Sequence, residues 1–319
     1  MKDPLFEPIL IHGLQVKNRI YMPPMHLNMC PTGEVTDQLT AFYAERAAGG
    51  AGLISVGYAT VNDMAGQFAC LGAHEDRFVP GLTRLAGAIK THGARAVVQI
   101  NHAGRQTHSM MIEGRQPVAP SAVPSPLTKE TPRPLDRKEI PGIVEDYARA
   151  ALRVQQAGFD GVEVITGTGY LISQFLSPNS NQRADEYGGS FENRMRFGLE
   201  IMRAIKKTTG EDFPLIARLN GNEFMPGGNG RRELQAWARA LVGAGVDALS
   251  INQGWHEARV PLIVSEVPRG TYGYLARGIK EQVGVPVVAS HRINDPDTAR
   301  EMISDGLCDM TAMGRGLIA

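Results

Sequence analysis

Three stretches of the chain repeat one pattern: 155-QQAGFDGVEV-164, 242-VGAGVDALSI-251 and 303-ISDGLCDMTA-312. In each, the end of a helical period is followed by a glycine, one or two apolar residues, an aspartate and a short apolar run of strand type. A glycine at such a place is typical of a left-handed helix cap. Helix followed by strand, repeated along a chain, is the pattern of a parallel α/β fold.

Working outward from these stretches, short apolar runs rich in Val and Ile recur and are predicted to be strands. The predicted strands are Arg19–Pro24, Gly52–Gly57, Ala96–Asn101, Gly161–Ile165, Pro214–Leu219, Ala248–Asn252, Val285–Ser290 and Met310–Gly314. The helical patterns between them include Ile143–Gln156, Phe191–Thr208, Arg232–Val242 and Asp295–Ser304. Eight strands are what a closed barrel needs, so we predict an α/β fold, a (β/α)8 TIM barrel formed by residues 1–319 as one domain. The rival is a doubly wound sheet, whose Gly-x-Gly-x-x-Gly loop is missing after the first strand.

Three segments outside the repeat also carry expectations. Leu10–Lys17, with Gly13 in the middle, is predicted to form a hairpin that caps the barrel floor. The Pro-rich stretch Gln116–Pro141 is predicted to be an irregular excursion on the catalytic face. Residues Arg315–Ala319 leave no room for an eighth helix, so the C-terminal helix is expected to be missing. Two alternatives stay open: the 319 residues are the natural chain, or they are the N-terminal part of a longer multidomain protein.

Composition excludes several classes of partner. Lys plus Arg and Asp plus Glu balance at 33 each, so no overall field attracts nucleic acid or a membrane surface. No apolar stretch is long enough to span a bilayer and the N-terminus has no signal-peptide core. The three cysteines are widely spaced, which argues against a disulfide framework and a cysteine metal site. We expect a cytoplasmic protein. A homo-oligomer is also possible, because the missing helix would leave one flank of the barrel uncovered.

The active site of such a barrel is built at the carboxyl ends of the strands. No strand end supplies a His/Asp/Glu pair with metal-ligand spacing, and no Gly-x-Ser-x-Gly motif appears. The last two strands instead end in Arg292, Gly314 and Arg315, where such barrels bind phosphate groups. The sequence therefore predicts a phosphorylated ligand and no metal.

At this point the chain resembles the old yellow enzyme family (NADH:flavin oxidoreductases), and within it the iron–sulfur flavoproteins of the 2,4-dienoyl-CoA reductase type. The segments that carry the resemblance are 18-NRIYMPPM-25, 99-QINHAGR-105, 169-GYLISQFLSPNSNQRADEYGGSFENRMRF-197, 252-NQGWHEARVP-261, 291-HRINDP-296 and 313-MGRGLIA-319. They run the whole length of the chain in the family's order.

The resemblance implies FMN, with NAD(P)H as the source of electrons. It implies that Pro24 and Met25 line the flavin ring and that Gln99 hydrogen-bonds the pyrimidine edge. Positive charge by N1 and O2 would come from Arg218. The residues it implies for the phosphate are Arg292, Gly314 and Arg315. A [4Fe–4S] centre and FAD would follow only in a longer C-terminal part.

The resemblance also implies reduction of an activated C=C bond by hydride from flavin N5, with Tyr170 as proton donor. It implies that His256 assists this protonation and orients the thioester. The carbonyl-binding His/Asn pair of many family members is replaced here by Ile165 and Thr168. That departure moves the expected substrate from simple enones toward enoyl- or dienoyl-CoA thioesters. Covalent flavin attachment, which needs a cysteine at the position of Met25, is not expected.

Several alternatives stay open at this level. An aromatic acyl-CoA reductase, of the naphthoyl-CoA kind, could use the same Tyr170 and His256. A non-catalytic flavin-binding module of a larger complex is the second alternative. A non-redox aldolase or isomerase would want a Schiff-base lysine or a carboxylate pair at strand ends, and the strand ends offer neither.

Overall fold

The predicted (β/α)8 barrel is confirmed. The structure, a computed structural model, describes residues 3–66, 68–262 and 265–318, so Met1 and Ala319 of the predicted domain lie outside the described residues. The barrel strands, first to eighth, are Ile20–Met22, Leu53–Thr60, Arg95–Asn101, Gly161–Ile165, Leu215–Asn220, Ala248–Asn252, Val287–Ala289 and Met310–Ala312. Each pairs in parallel with the next, and the eighth pairs with the first, Thr311 lying opposite Ile20. That last pairing closes the barrel.

The helices cover the outside of the barrel. They are Asp37–Ala48, Val79–Lys90, Ile140–Gln156, Leu171–Leu176, Phe191–Thr209, Arg231–Gly243, Gly273–Lys280 and Pro296–Ser304. After the eighth strand the described residues form only a short 3-10 helix, Arg315–Leu317. The helix predicted from Ile143 begins earlier, at Ile140, because Pro141 occupies its first turn, where a missing N–H costs nothing.

The repeated aspartate has a structural reason. Asp160 Oδ2 accepts a hydrogen bond from the N–H of Ala96 at 2.9 Å, near the start of the preceding barrel strand. Asp247 and Asp309 accept the same kind of bond, from Leu215 and Val287 at 2.8 and 2.9 Å. Each carboxylate also pairs with a lysine on the helix side, Lys90, Lys206 or Lys280, at 2.7–3.1 Å. The aspartates therefore fasten each new strand to its neighbour at the floor of the barrel.

The predicted floor hairpin is confirmed as two antiparallel strands, Ile9–Ile11 and Leu14–Val16. Its Ile11 and Val16 are fully buried against apolar side chains that point inside the barrel. The inward-facing residues of this inner core are Tyr21, Leu53, Val97, Ile216, Ala248, Val288, Met310 and Ala312. Because the lower half of the barrel is packed solid, ligand space lies at the opposite end.

The excursion after the third strand contains more structure than predicted. Val118–Ala119 and Arg133–Pro134 form a short parallel pair. The backbone N–H groups of Arg133 and Leu135 donate to the carbonyls of Pro117 and Ala119 at 2.7 and 2.9 Å and hold the pair together. Arg105, at the end of the third strand, donates to the carbonyls of Val123 and Pro124 at 3.1 and 3.2 Å. These bonds hold the excursion against the face that carries the strand ends.

None of the helices in the described residues combines the length and the apolar character of a membrane span. Within the same residues, no group of three or more His, Cys, Asp or Glu side chains is arranged to hold a metal ion.

Candidate active site

Two adjoining cavities open at the carboxyl ends of the strands. The outer one, of about 550 Å³, lies over the seventh and eighth strands. The inner one, of about 420 Å³, lies over the middle of the barrel. They share the lining residues Pro24, Arg218, Leu262 and His291. Every site residue predicted from the sequence lines one or both of them, so together they form one continuous candidate site.

Arginine side chains line the outer cavity. Its lining includes Arg292, Gly314 and Arg315, the three residues predicted to bind phosphate. A Cβ atom at Gly314 would lie 3.4 Å from the sulfur of Met25, so a side chain there would narrow the cavity. Burial, together with the charges of Arg218 and Arg315, lowers the pKa of His291 to about 3. That imidazole is therefore neutral at pH 7, and the positive charge of the cavity comes from the arginines.

A buried polar layer separates the inner cavity from the apolar floor. Gln99 Nε2 donates to Glu163 Oε1 at 2.6 Å, and the Tyr21 hydroxyl donates to the other oxygen of the same carboxylate. Burial raises the pKa of Glu163, while the charge of Arg218 opposes that rise. Arg218 itself donates to Ser250 Oγ at 2.8 Å. One of the two amide hydrogens of Gln99 is thus engaged, so its oxygen and its second hydrogen are the atoms left for a contact with a flavin.

The predicted proton donor and its partner meet at the mouth of the inner cavity. The ring centroids of Tyr170 and His256 are 5.2 Å apart, edge to face. Burial raises the pKa of Tyr170, so its phenol keeps the proton at neutral pH. Desolvation by the surrounding protein lowers the pKa of His256, although its side chain stands at the exposed rim. The arrangement places a neutral acid beside a neutral imidazole.

Hydrogen bonds between loops hold this pair in place. The backbone N–H of His256 donates to the carbonyl of Thr168 at 3.2 Å. This bond joins the loop after the sixth strand to the loop after the fourth. Asn220 accepts from the Thr168 N–H at 2.6 Å and donates to the carbonyl of Gly254. Beside His256, Glu257 accepts two contacts of 2.9 Å from Arg105 Nη2. Three loops distant in sequence are therefore tied to one another around the site.

Sequence reasoning missed part of the lining. Tyr58, Asn252 and His291 face the inner cavity together with the predicted residues. All three stand at strand ends, so position alone could have identified them. Their chemistry gave no signal, because a tyrosine, an asparagine or a histidine at such a place is equally at home in packing.

The lining fits a flavin mononucleotide. Arginines stand where the phosphate would lie, and apolar Pro24, Met25 and Leu262 line the walls between the two cavities. Asn252 Oδ1 is buried and has no hydrogen-bond partner among the described residues. An unpaired buried acceptor of this kind is satisfied by a ligand donor such as a ring N–H. The residues available to hold it are Pro24, Met25, Gln99, Arg218, Asn252, Arg292, Gly314 and Arg315.

Comparisons with known proteins agree with this geometry. The sequence pattern of the NADH:flavin oxidoreductase / NADH oxidase family matches residues 4–319. A "metal reductase" of Desulforamulus reducens is 49% identical over 315 residues, which are 99% of this chain and 47% of that protein. The structure of 2-naphthoyl-CoA reductase with 2-naphthoyl-CoA superimposes with a TM-score of 0.95 at 35% identity, covering 99% of this chain and 50% of that one.

A third relative is an old yellow enzyme homologue from Zymomonas mobilis, with a TM-score of 0.85 at 28% identity over 98% of this chain and 88% of that one. The chain spans about half the length of the metal reductase and of the naphthoyl-CoA reductase. It belongs to the NADH:flavin oxidoreductase / NADH oxidase family of flavin-dependent oxidoreductases, together with the old yellow enzymes.

Proposed function

We propose that this chain is an FMN-binding catalytic barrel that reduces an activated C=C bond in an acyl thioester of the enoyl- or dienoyl-CoA type. The observation that carries the proposal is the pairing of Tyr170 with His256, centroids 5.2 Å apart, in a cavity continuous with an arginine-lined one. A proton donor next to a site for a phosphorylated redox cofactor is the arrangement that alkene reduction requires.

In this proposal Arg292, Gly314 and Arg315 would hold the cofactor phosphate. The residues that would hold its ring are Pro24, Met25, Gln99 and Arg218. When bound and reduced by NAD(P)H, FMN supplies the hydride for one alkene carbon. Arg218, 8% exposed and fixed by Ser250, places a permanent positive charge beside the ring and compensates negative charge there.

The proton is supplied by residues of the chain itself. Addition of hydride to the carbon β to a carbonyl leaves negative charge on the α carbon and the carbonyl oxygen. Tyr170, kept protonated by burial, donates its proton to the α carbon. His256, neutral at the exposed rim, then passes a proton from solvent toward the phenolate. Ile165 adds an apolar side chain to the wall of the same cavity.

A second candidate is reduction of an aromatic acyl-CoA. The TM-score of 0.95 with a structure named as a 2-naphthoyl-CoA complex favours it. Both substrates are thioesters conjugated with a C=C bond, and both need the same donor and the same acid. A non-catalytic flavin module is the remaining alternative, and it predicts no turnover with either thioester.

The proposal extends to the rest of the protein. We take residues 1–319 as one flavin-binding domain, with [4Fe–4S] and FAD as electron carriers only where a longer chain supplies them. With an acyl-CoA as substrate and a nicotinamide as electron donor, we propose that the reaction takes place in the cytoplasm. Homo-oligomers are compatible with it.

The test begins with the cofactor released by heat from the purified protein, which should be FMN. The protein is then reduced with dithionite without oxygen and mixed with 2,4-hexadienoyl-CoA, crotonyl-CoA or 2-naphthoyl-CoA, while flavin absorbance is followed. Reoxidation by a thioester, with the saturated or ring-reduced product identified by mass, supports the proposal. Reoxidation by ferric citrate or oxygen alone would contradict it.

A further inference from the structure

A second phenol faces the inner cavity beside the predicted acid. Tyr58 lies on the second barrel strand, is only 4% exposed and lines the same cavity as Tyr170. The two ring centroids are 5.7 Å apart with planes at 64°. The ring of Tyr58 also packs near that of His26, with centroids 5.5 Å apart. The packing therefore fixes the direction of Tyr58 relative to Tyr170.

The hydroxyl of Tyr58 is buried and has no hydrogen-bond partner among the described residues. Burial raises its pKa, and the nearby Cys70 thiol and Tyr170 phenol add to that rise. The Asn101 side chain opposes it, but it approaches the hydroxyl without completing a hydrogen bond. The phenol therefore stays protonated at neutral pH and is a hydrogen-bond donor. A buried donor left unpaired is unfavourable, and a ligand acceptor in the cavity would satisfy it.

The cavity lacks other donors at the positions where a histidine and an asparagine bind the carbonyl in many old yellow enzymes. Ile165 is apolar. The Thr168 hydroxyl donates to the carbonyl of Gly167 at 2.8 Å, so its proton is already used. A conjugated carbonyl bound beside Ile165 and Thr168 therefore receives no hydrogen bond from either side chain, although negative charge develops on its oxygen during reduction.

We propose that Tyr58 donates a hydrogen bond to the carbonyl oxygen of the substrate and so replaces the missing pair. The inference rests on the proposed function and divides the work between two phenols. Hydride, delivered from reduced FMN, adds to the β carbon and the C=C electron pair moves toward the carbonyl oxygen. Tyr58 stabilises that charge and keeps its proton, whereas Tyr170 gives its proton to the α carbon.

If the substrate were a cationic amine instead of a thioester, it would contact the ring of Tyr58 and not its hydroxyl. A cation is attracted to the face of an aromatic ring and needs no hydroxyl. Replacing Tyr58 by Phe removes the hydroxyl and keeps the ring, so this substitution separates carbonyl recognition from recognition of a cation.

The experiment measures binding to the oxidised, FMN-loaded protein, in which no turnover occurs. The probes are S-crotonyl-N-acetylcysteamine and S-crotyl-N-acetylcysteamine, a thioester and the thioether that lacks its carbonyl. We expect Tyr58→Phe to raise the Kd of the thioester about tenfold and to leave that of the thioether unchanged. In turnover the same variant should lower kcat/KM for the thioester by at least as much.

The matched control is Tyr187→Phe, which removes a hydroxyl that donates to Glu200, a residue that lines neither cavity. It should change neither affinity. A second measurement uses the wild-type protein: the infrared band of a ¹³C=O-labelled thioester should move to lower frequency on binding. The inference would be overturned if the band did not move, or if Tyr58→Phe lost the same affinity for both probes.

The outcomes also separate this inference from the proposed function. A thioester preference that depends on Tyr58, in a protein that does not reduce the thioester, would uphold carbonyl recognition and overturn the proposed reaction. Thioester reduction that is unaffected in Tyr58→Phe would uphold the proposed reaction and overturn carbonyl recognition by Tyr58.

Discussion

The rings of Tyr170 and His256 meet edge to face, with centroids 5.2 Å apart and planes at 71°. The two residues come from different loops, and a hydrogen bond of 3.2 Å from the His256 N–H to the Thr168 carbonyl sets their separation. Because Thr168 lies two positions before Tyr170, small changes in either loop are transmitted to both rings. The pair therefore behaves as one unit whose geometry is set by the backbone.

Replacement of Tyr170 by Phe tests the acid. Loss of a proton donor should slow thioester reduction about 10²-fold or more, because the α carbon must then be protonated by solvent. Binding of FMN should not change, since the hydroxyl is not among the groups proposed to hold it. Stopped-flow reoxidation of the reduced protein gives the rate, and fluorescence of released flavin gives the cofactor content. Unchanged turnover would remove Tyr170 from the mechanism.

The phosphate site can be tested without any substrate. Arg315 lines the outer cavity with an exposed side chain, so its removal should not disturb packing. We expect Arg315→Gln to weaken FMN binding by about tenfold, the scale of a lost charge-assisted hydrogen bond. Riboflavin, which lacks the phosphate, should bind the wild type and the variant equally. Equal weakening for both flavins would place the phosphate elsewhere.

The pH dependence of stability should contain a contribution from Glu223. Burial raises the pKa of this carboxyl to about 7, from an ordinary value of 4.5. Between those values the folded chain holds a proton that the unfolded chain has lost, so stability falls as pH rises, by about 1.4 kcal/mol per pH unit. Above about pH 7 the effect is complete.

Urea unfolding at pH 5 and pH 8 measures this contribution as the difference between wild type and Glu223→Gln. The variant loses acceptor bonds to Ser177 and Asn229, so its free energy of unfolding should be lower than that of the wild type at pH 5. This difference in free energy should narrow at pH 8, because only the wild type loses stability as the pH rises. Glu113→Gln, at an exposed position, is the control. A gap that widens toward pH 8 would show that the carboxylate is stabilised in the folded chain.

Periodicity and strand-end position were enough to predict the barrel and the place of the site. The repeated aspartates succeed as signals because each one fastens a strand, as Asp160 does with Ala96. The same local reasoning predicted Arg292 and Arg315 as site residues, and the resemblance to the old yellow enzyme family added Tyr170. All three line the cavities, and their roles stay predictions. The local reasoning worked because in a barrel the end of every strand faces the same opening.

Contacts between distant loops could not be predicted in this way. Arg105 and Glu257 are 152 positions apart, and nothing in either segment indicates the other. The unpaired hydroxyl of Tyr58 is equally invisible, because it depends on which neighbours fail to reach it. The second strand also runs on to Thr60, beyond the predicted end at Gly57, because Ala59 and Thr60 pair with the third strand after a register shift.

The ion pair between Arg105 and Glu257 should stabilise both the fold and the site. Each side chain is only 4% exposed. Glu257→Met leaves the guanidinium buried without its carboxylate, which should lower the free energy of unfolding by about 3–5 kcal/mol. The double variant with Arg105→Met should recover part of that loss, because no charge then remains unpaired. Arg277→Met is the matched control, since its pair with Glu281 is exposed and worth about 0.3–0.5 kcal/mol.

Because Glu257 follows His256 directly, the same variants should affect catalysis. A displaced His256 reprotonates Tyr170 more slowly, so kcat for thioester reduction should fall in Glu257→Met and stay reduced in the double variant, whose stability is partly restored. Thermal unfolding and steady-state kinetics on the same preparations compare the two effects. If kcat recovered together with stability, the ion pair would act only on the fold, and the position of His256 would be set by its bond to Thr168 alone.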